Sequence, residues 1–276
     1  MAYPVVSAPY GLKPINLIGG QVFAGSTREY AIANGYATSI FYGDCVALVR
    51  GNLERISVST GTVGTVAGIF LGCSYTNPTT KQKTFSQYWP ASTAAGDAVA
   101  IVCDDPDTVF KAVVCSSGTT VASGARAMIG QNLAMINNAG NANTGDSKNA
   151  ILAPTDTPAT TDSLPLRVLG LVPETMVALG TATYTSISTA TVTCSALPYA
   201  LPVGTDVGSL DSAGNYIPSG SFVDTAAAAG ATSFILNQAP SAAFGASSTL
   251  VFNQFPELLV KLNFGQHEYY AATATA

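Results

Sequence analysis

Apolar and polar residues alternate along this chain in short runs, and a turn residue closes almost every run. YAIANGYATSIFYGDCVALVRG (30–51), RISVST (55–60), GIFLGCSYT (68–76), TFSQYWP (84–90), AVAIVCD (98–104) and TVFKAVVCS (108–116) follow one another at intervals of about ten residues, bounded by Gly, Pro, Asn or Asp. Period-two alternation between such breakers predicts antiparallel strands packed as a β-sandwich or barrel. ASGARAMIGQNLAMINN could open a helix at Ser123, but Gly130 and the following NAGNANTG limit it to a brief one. Residues 153–165 form a polar loop leading into the strand LRVLGLV (166–172).

The two ends of this pattern differ from its middle. Residues 1–22 carry Pro4, Pro9 and Pro14, which exclude helix and hold the segment extended. The arm is nevertheless apolar, and it must cross its own domain or lie on a neighbour. Near the other end, residues 178–254 contain no Lys or Arg and repeat a Thr/Ser alternation (TATYTSISTATVTCS), followed by VGTDVGS, NYIPSGSFV, TSFILN and STLVF. This block reads as a small β-sandwich inserted into a loop of the host, whose last strand, FPELLVKLNF (255–264), resumes the earlier charge pattern. The expected organisation is an arm over 1–22, a β domain over 23–177 plus 255–276, and an inserted module over 178–254; one continuous β domain is the alternative.

Charge changes this picture most. The 276 residues include 11 basic and 16 acidic ones, a net charge of −5, and only 10% are charged, against about 25% in an average globular chain. A surface so poor in charge points to contact with other protein. The acidic balance lacks the basic stripe that nucleic acid requires, and Lys81 and Lys83 are the nearest thing to one. Mean hydropathy is +0.32, yet no apolar run approaches the roughly 20 residues that span a bilayer. No nucleic-acid or membrane partner is therefore expected, and MAYPVVSAPYG does not have the form of a signal peptide.

Candidate chemistry is sparse. Cys45, Cys73, Cys103, Cys115 and Cys194 are odd in number, widely spaced and set in apolar runs, as reduced core residues would be. The single histidine, His267, stands near the C-terminus, where a polar surface or interface role is expected. Ser147 in GDS lacks the G-x-S-x-G context of a nucleophile. Asp104, Asp105 and Asp107 could offer oxygens to calcium, but a Pro-bearing acidic turn explains the same letters. Phe85, Tyr88 and Trp89 form the densest aromatic patch, expected to pack the core. No catalytic residue, metal ligand or cofactor is assigned.

Several stretches resemble a structural protein of tailed bacteriophages, the head decoration (cement) or virion structural family. They are APYGLKPINLIGGQVFAGSTREYAIANGYATSIFYGDCVAL, GIFLGCSYTNP, FSQYWPAS, AVAIVCDDPDTVFKAV, IGQNLAMINNAGNANTGDSKNAIL, TDSLPLRVLGLV and ELLVKLNFGQHEY. The block 178–254 departs from that family's shorter pattern. The resemblance implies a non-enzymatic protein made in the host cytoplasm and carried on the outer capsid surface of the virion. Its implied partners are the major capsid protein and itself, as a homotrimer. The arm would then act as a strap, with Tyr10, Leu12, Lys13, Pro14, Ile15 and Leu17 as capsid contacts. The block would project outward, with weak contact to host-surface glycan. A neck, tail or fibre-base protein is the alternative, and a virion glycan-binding or glycan-hydrolysing protein a more distant one.

Overall fold

The computed structural model describes residues 6–56, 66–122, 124, 126–153, 163–241 and 244–270. The chain is all-β, with three short 3-10 turns as its helical elements among these residues. RISVST beyond Ile56 and the loop at 154–162 lie outside the described residues. The brief helix near Ser123 is the 3-10 turn Arg126–Met128.

Contacts divide the chain into two compact units. The larger takes Val6–Ala122, Gly130–Leu169 and the chain from Leu258 onward. One of its sheets runs in the order Arg28–Ala31, Val99–Cys103, Gly68–Thr76, Cys45–Val49, Asn52–Arg55, with Lys83–Ser86 also paired to Gly68–Thr76. The other centres on the long strand Thr108–Ser117, which has Glu257–Leu262 on one flank and pairs in parallel with Ala150–Leu152. Trp89, fully buried, meets Tyr75 edge-to-face at 5.4 Å in the core beside Phe70, Ile40 and Leu53. Its neighbour in the aromatic patch behaves oppositely: Phe85 is 80% exposed, because it lies on the outward side of a short strand at the sheet edge.

The arm is not free-standing. Lys13–Leu17 is an antiparallel partner of Thr108–Ser117. Pro14, which has no N–H to donate, occupies this edge position without breaking a ladder. A bulge between Pro14 and Asn16 leaves Ile15 unpaired and turned to solvent. Just before the strand, the chain crosses Gly43: Leu12 N–H donates to Gly43 O at 3.0 Å, and Gly11 N–H to Asn149 O at 3.1 Å. Both glycines have positive φ, and a Cβ on Gly11 would lie 2.8 Å from Gly43 O. Only glycine fits this crossing.

The smaller unit comprises Gly170–Glu257 and the segment around the Arg126–Met128 turn. It starts earlier and ends later than the composition change at 178–254, and it is a closed six-stranded barrel rather than an open sandwich. Two long strands close it. Val177–Ser188 pairs with Thr249–Gln254 through its first half and with Thr191–Cys194 through its second. Tyr216–Thr225 likewise passes from Asp206–Leu210 to Ser233–Leu236. Each carries a register shift that bends it from one sheet into the next. The Thr/Ser alternation follows directly: Val192 and Cys194 point inward while Thr191 and Thr193 are exposed.

The chain leaves the larger unit along Leu166–Leu171 and returns along Glu257–Leu262, which are hydrogen-bonded neighbours. Val172 N–H donates to Glu257 O and Asn263 N–H to Pro165 O, so the two strands run in opposite directions with their connecting ends side by side. Replacing 173–256 with an Asn-Gly turn would convert them into a two-residue hairpin. The shortened chain should fold with a single cooperative thermal transition and keep Trp89 buried by fluorescence. A non-cooperative melt or a solvent-exposed Trp89 would show that the smaller unit is not an insertion.

Candidate functional site

Three aspartates withdrawn from water organise the polar side chains. Asp44 is fully buried; its carboxylate lies 2.8 Å from Arg55 Nε, accepts Ser147 Oγ–H at 2.6 Å and accepts Phe41 N–H at 2.9 Å. Burial pushes this carboxyl up, and Arg55, Ser147 and the Phe41 amide oppose that push. Ser147 is itself sealed from solvent and hydrogen-bonded within this network. It has no histidine beside it, since His267 is bonded elsewhere.

The second carboxylate, Asp104, accepts the hydroxyls of Tyr30 at 2.8 Å and of Tyr269, and pairs with Arg28 Nε at 3.0 Å. Asp105 Oδ1 accepts Asp107 N–H at 2.9 Å, closing the acidic turn. These oxygens serve the fold, and no group of three or more metal-ligating side chains exists among the described residues. His267, expected at the surface, is instead fully buried. Its Nε2 lies 3.1 Å from the Asp104 carbonyl, and its Nδ1 accepts Tyr269 N–H at 3.3 Å. Nε2 must therefore carry the proton and Nδ1 must be bare. The neutral ring satisfies both contacts, whereas a second proton would face the Tyr269 amide. Burial lowers its pKa accordingly.

The arm residues divide by environment. Leu12, expected as a capsid contact, is completely buried in its own unit and offers no external surface, because the crossing at Gly43 carries it inward. Tyr10 is half-buried beneath Lys13 and Lys111, whose Nζ atoms stand 4.7 and 5.8 Å from its ring centre. Lys13, Pro14 and Leu17 are half-buried in the strand, and Ile15 is exposed. Ile18 and Val22, which follow, are 40% and 80% exposed.

The third carboxylate, Asp206 in the smaller unit, marks a place that sequence reading did not single out. Asp206 and Asn253 are register partners on adjacent strands, on the face opposite Val207 and Phe252, which fill the barrel. That outer face is covered. Arg126 Nε pairs with Asp206 Oδ1 at 3.0 Å, and Tyr216 O–H donates to Oδ2 at 2.8 Å. The Tyr216 ring lies across Gly208, where a Cβ would come within 2.2 Å of it. Burial and the adjacent Asp206 charge push the Tyr216 pKa up. Two hollows flank the ring, both bounded by Tyr216 and Met176: one of about 330 Å³ beside Arg126 and Asp206, the other of about 310 Å³ floored by Asn253. The Asn253 amide leans on the Tyr216 hydroxyl, yet neither its nitrogen nor its oxygen closes a hydrogen bond of full geometry. A buried polar group left so costs about 1–3 kcal/mol. The signal was hidden because Arg126 and Asp206 stand 80 residues apart.

All five cysteines are buried free thiols. Burial raises every one of them, Cys73 to about 12 and Cys103 and Cys115 to about 11, which removes the thiolate that nucleophilic or redox chemistry needs.

His267 supplies a pH test. Its folded pKa lies below its ordinary 6.5, so the unfolded chain binds more protons as pH falls through and below that value. The stability contributed by the neutral ring is present above 6.5 and lost on acidification. Between pH 7 and 5 the melting temperature should fall more steeply for the natural chain than for His267→Gln. The difference in slope is at most one proton, about 1.4 kcal/mol per pH unit; identical slopes would mean that the ring titrates in the fold as it does in the unfolded chain. Compared with protein-family models, curated proteins and solved structures, the chain matches none.

Proposed function

We propose that this chain is a head decoration protein of a tailed bacteriophage. It binds the outer surface of the mature shell as a homotrimer and bridges major capsid protein subunits. The sequence resemblance motivates the reading, and one surface property supports it. In a chain with 11 basic and 16 acidic residues, large apolar side chains stand in water: Val22 and Phe85 at 80%, Val203 at 61%, Tyr199 at 56% and Phe264 at 55%. Scattered aromatic and branched side chains on a surface low in charge suit contact with other protein. Binding that favours the expanded lattice stabilises it by mass action, without chemistry.

The buried state of Leu12 narrows the strap idea. The arm attaches to its own unit through Leu12 and the Lys13–Leu17 strand, leaving Ile15, Ile18 and Val22 as its outward apolar side chains. These are the contacts proposed for the shell. Heads produced without the protein should lose DNA at lower temperature, and adding back the purified full chain should restore their resistance. Ile15→Asp combined with Ile18→Asp should leave the melting temperature of the free protein unchanged. The pair should weaken head binding at least about tenfold, ~1.4 kcal/mol. A natural chain that ignores expanded heads would overturn the decoration reading in favour of a neck or tail position. Full binding by the double variant would overturn the arm contact alone.

A further inference from the structure

Beyond Leu262 the chain lies as a strap across the larger unit, touching Val66, Leu48 and Asp104. Gln266 O accepts Val66 N–H at 2.7 Å, Glu268 N–H donates to Val66 O at 3.0 Å, and Glu268 Oε2 accepts Leu48 N–H at 3.1 Å. His267 and Tyr269 reach Asp104 from the same segment. Its start is anchored, since Asn263 N–H donates to Pro165 O and the Asn263 side-chain amide to Leu164 O at 2.9 Å. Past that anchor little apolar surface is hidden: Phe264, Tyr269 and Tyr270 are exposed, and only Gln266 and His267 are buried. A segment held by hydrogen bonds more than by apolar contact opens at lower cost than a core strand. We propose that proton uptake by His267 releases the strap 264–270 while the rest of the larger unit stays folded. The device does not depend on the decoration reading.

The geometry makes His267 the sensitive point. Its neutral ring donates to Asp104 O and accepts Tyr269 N–H. A proton on Nδ1 abolishes the second contact and sets a charge among buried atoms. The surrounding groups do not offset that cost. The Asp104 carboxylate is already shared by Arg28, Tyr30 and Tyr269, and Arg28 stands 5.3 Å from the centre of the Tyr269 ring. Asp104 and Asp105 attract a charged ring, Lys261 repels it, and burial outweighs the attraction. Leu48 and Val66, the contacts from the other elements, carry no charge. Glu268 works in the opposite sense: burial pushes its carboxyl up, so protonating it favours the closed strap. For His267 the closed state is favoured above 6.5, its ordinary value, and is lost as pH falls. A ring that titrates at 6.5 when released and stays neutral when bound raises the opening constant about tenfold between pH 7.5 and 5.5, the ceiling for one proton.

Hydrogen exchange on the full chain, at pH 7.5 and 5.5 and corrected for intrinsic rates, reads the opening directly. The amides of Val66 and Glu268 should be less protected than those of Thr108–Ser117 at both pH values, because the strap opens on its own. In Glu268→Gln the opposing carboxyl is gone, while the side-chain oxygen still accepts Leu48 N–H. There the protection of the Val66 amide should fall at least about threefold on acidification, towards the tenfold ceiling. Adding His267→Gln, which takes no proton yet keeps a donor and an acceptor, should remove the fall. The chain has a single histidine, so its imidazole C–H resonance gives an independent reading in the natural chain and should titrate below 6.5. Strap amides as protected as the central strand, protection that ignores pH, a fall that persists without His267, or a ring that titrates at 6.5 in the closed chain would each overturn the proposal. Should either variant fail to fold, exchange and ring titration in the natural chain decide the matter.

Discussion

The larger unit depends on one ion pair, Asp44 with Arg55, closed where four parts of the chain meet. A carboxylate wholly removed from water is tolerated only when its charge and lone pairs are matched. Arg55 supplies the charge, and Ser147 and the Phe41 amide supply hydrogen bonds. Arg55 then reaches on to Asn138 O at 2.7 Å and Asn149 Oδ1 at 3.2 Å, drawing the 137–149 loop against the sheet. The arm crosses this same place through Gly11 and Gly43. Removing either charged partner would strand the other in the interior, a loss of about 3–5 kcal/mol. The arm's position is thus coupled to the unit's most demanding electrostatic requirement.

The same arrangement recurs at Asp104 with Arg28 and at Asp206 with Arg126. In each, one arginine neutralises one buried aspartate, and tyrosine hydroxyls complete the shell of the latter two. A protein with so few charges spends several of them inside. Its surface carries few charges beside exposed large apolar side chains such as Val22 and Phe85. Beside the Asp206 network two hollows flank the Tyr216 ring.

Much of the fold was legible in local pattern. Period-two alternation bounded by Gly, Pro and Asn located Gly68–Thr76, Val99–Cys103, Thr108–Ser117 and Glu257–Leu262, because side-chain direction in a strand reverses at every residue. The block 178–254, read from its lack of Lys and Arg, falls within the smaller unit, whose main segment runs from Gly170 to Glu257. Closure into a barrel was not legible, since it depends on where two long strands bend and change partners. Local pattern also failed to separate Phe85 from Trp89, four residues apart yet at opposite extremes of exposure. The candidate site was the least legible part: Asp206 looks like an ordinary outward residue of VGTDVGS until Arg126 and Tyr216 cover it. His267 was misplaced for a similar reason, because a C-terminal position says nothing of the Asp104 carbonyl that receives its ring.

Buried ion pairs fasten the interior, and on the proposed decoration reading the protein acts through surface and shape. The decoration reading makes a demand that other virion positions do not share, namely abundance. Quantitative mass spectrometry of purified virions, calibrated against the major capsid protein, measures it directly. Copy number should be near-stoichiometric with the shell subunit. A handful of copies per particle, or complete absence from virions, would contradict the account.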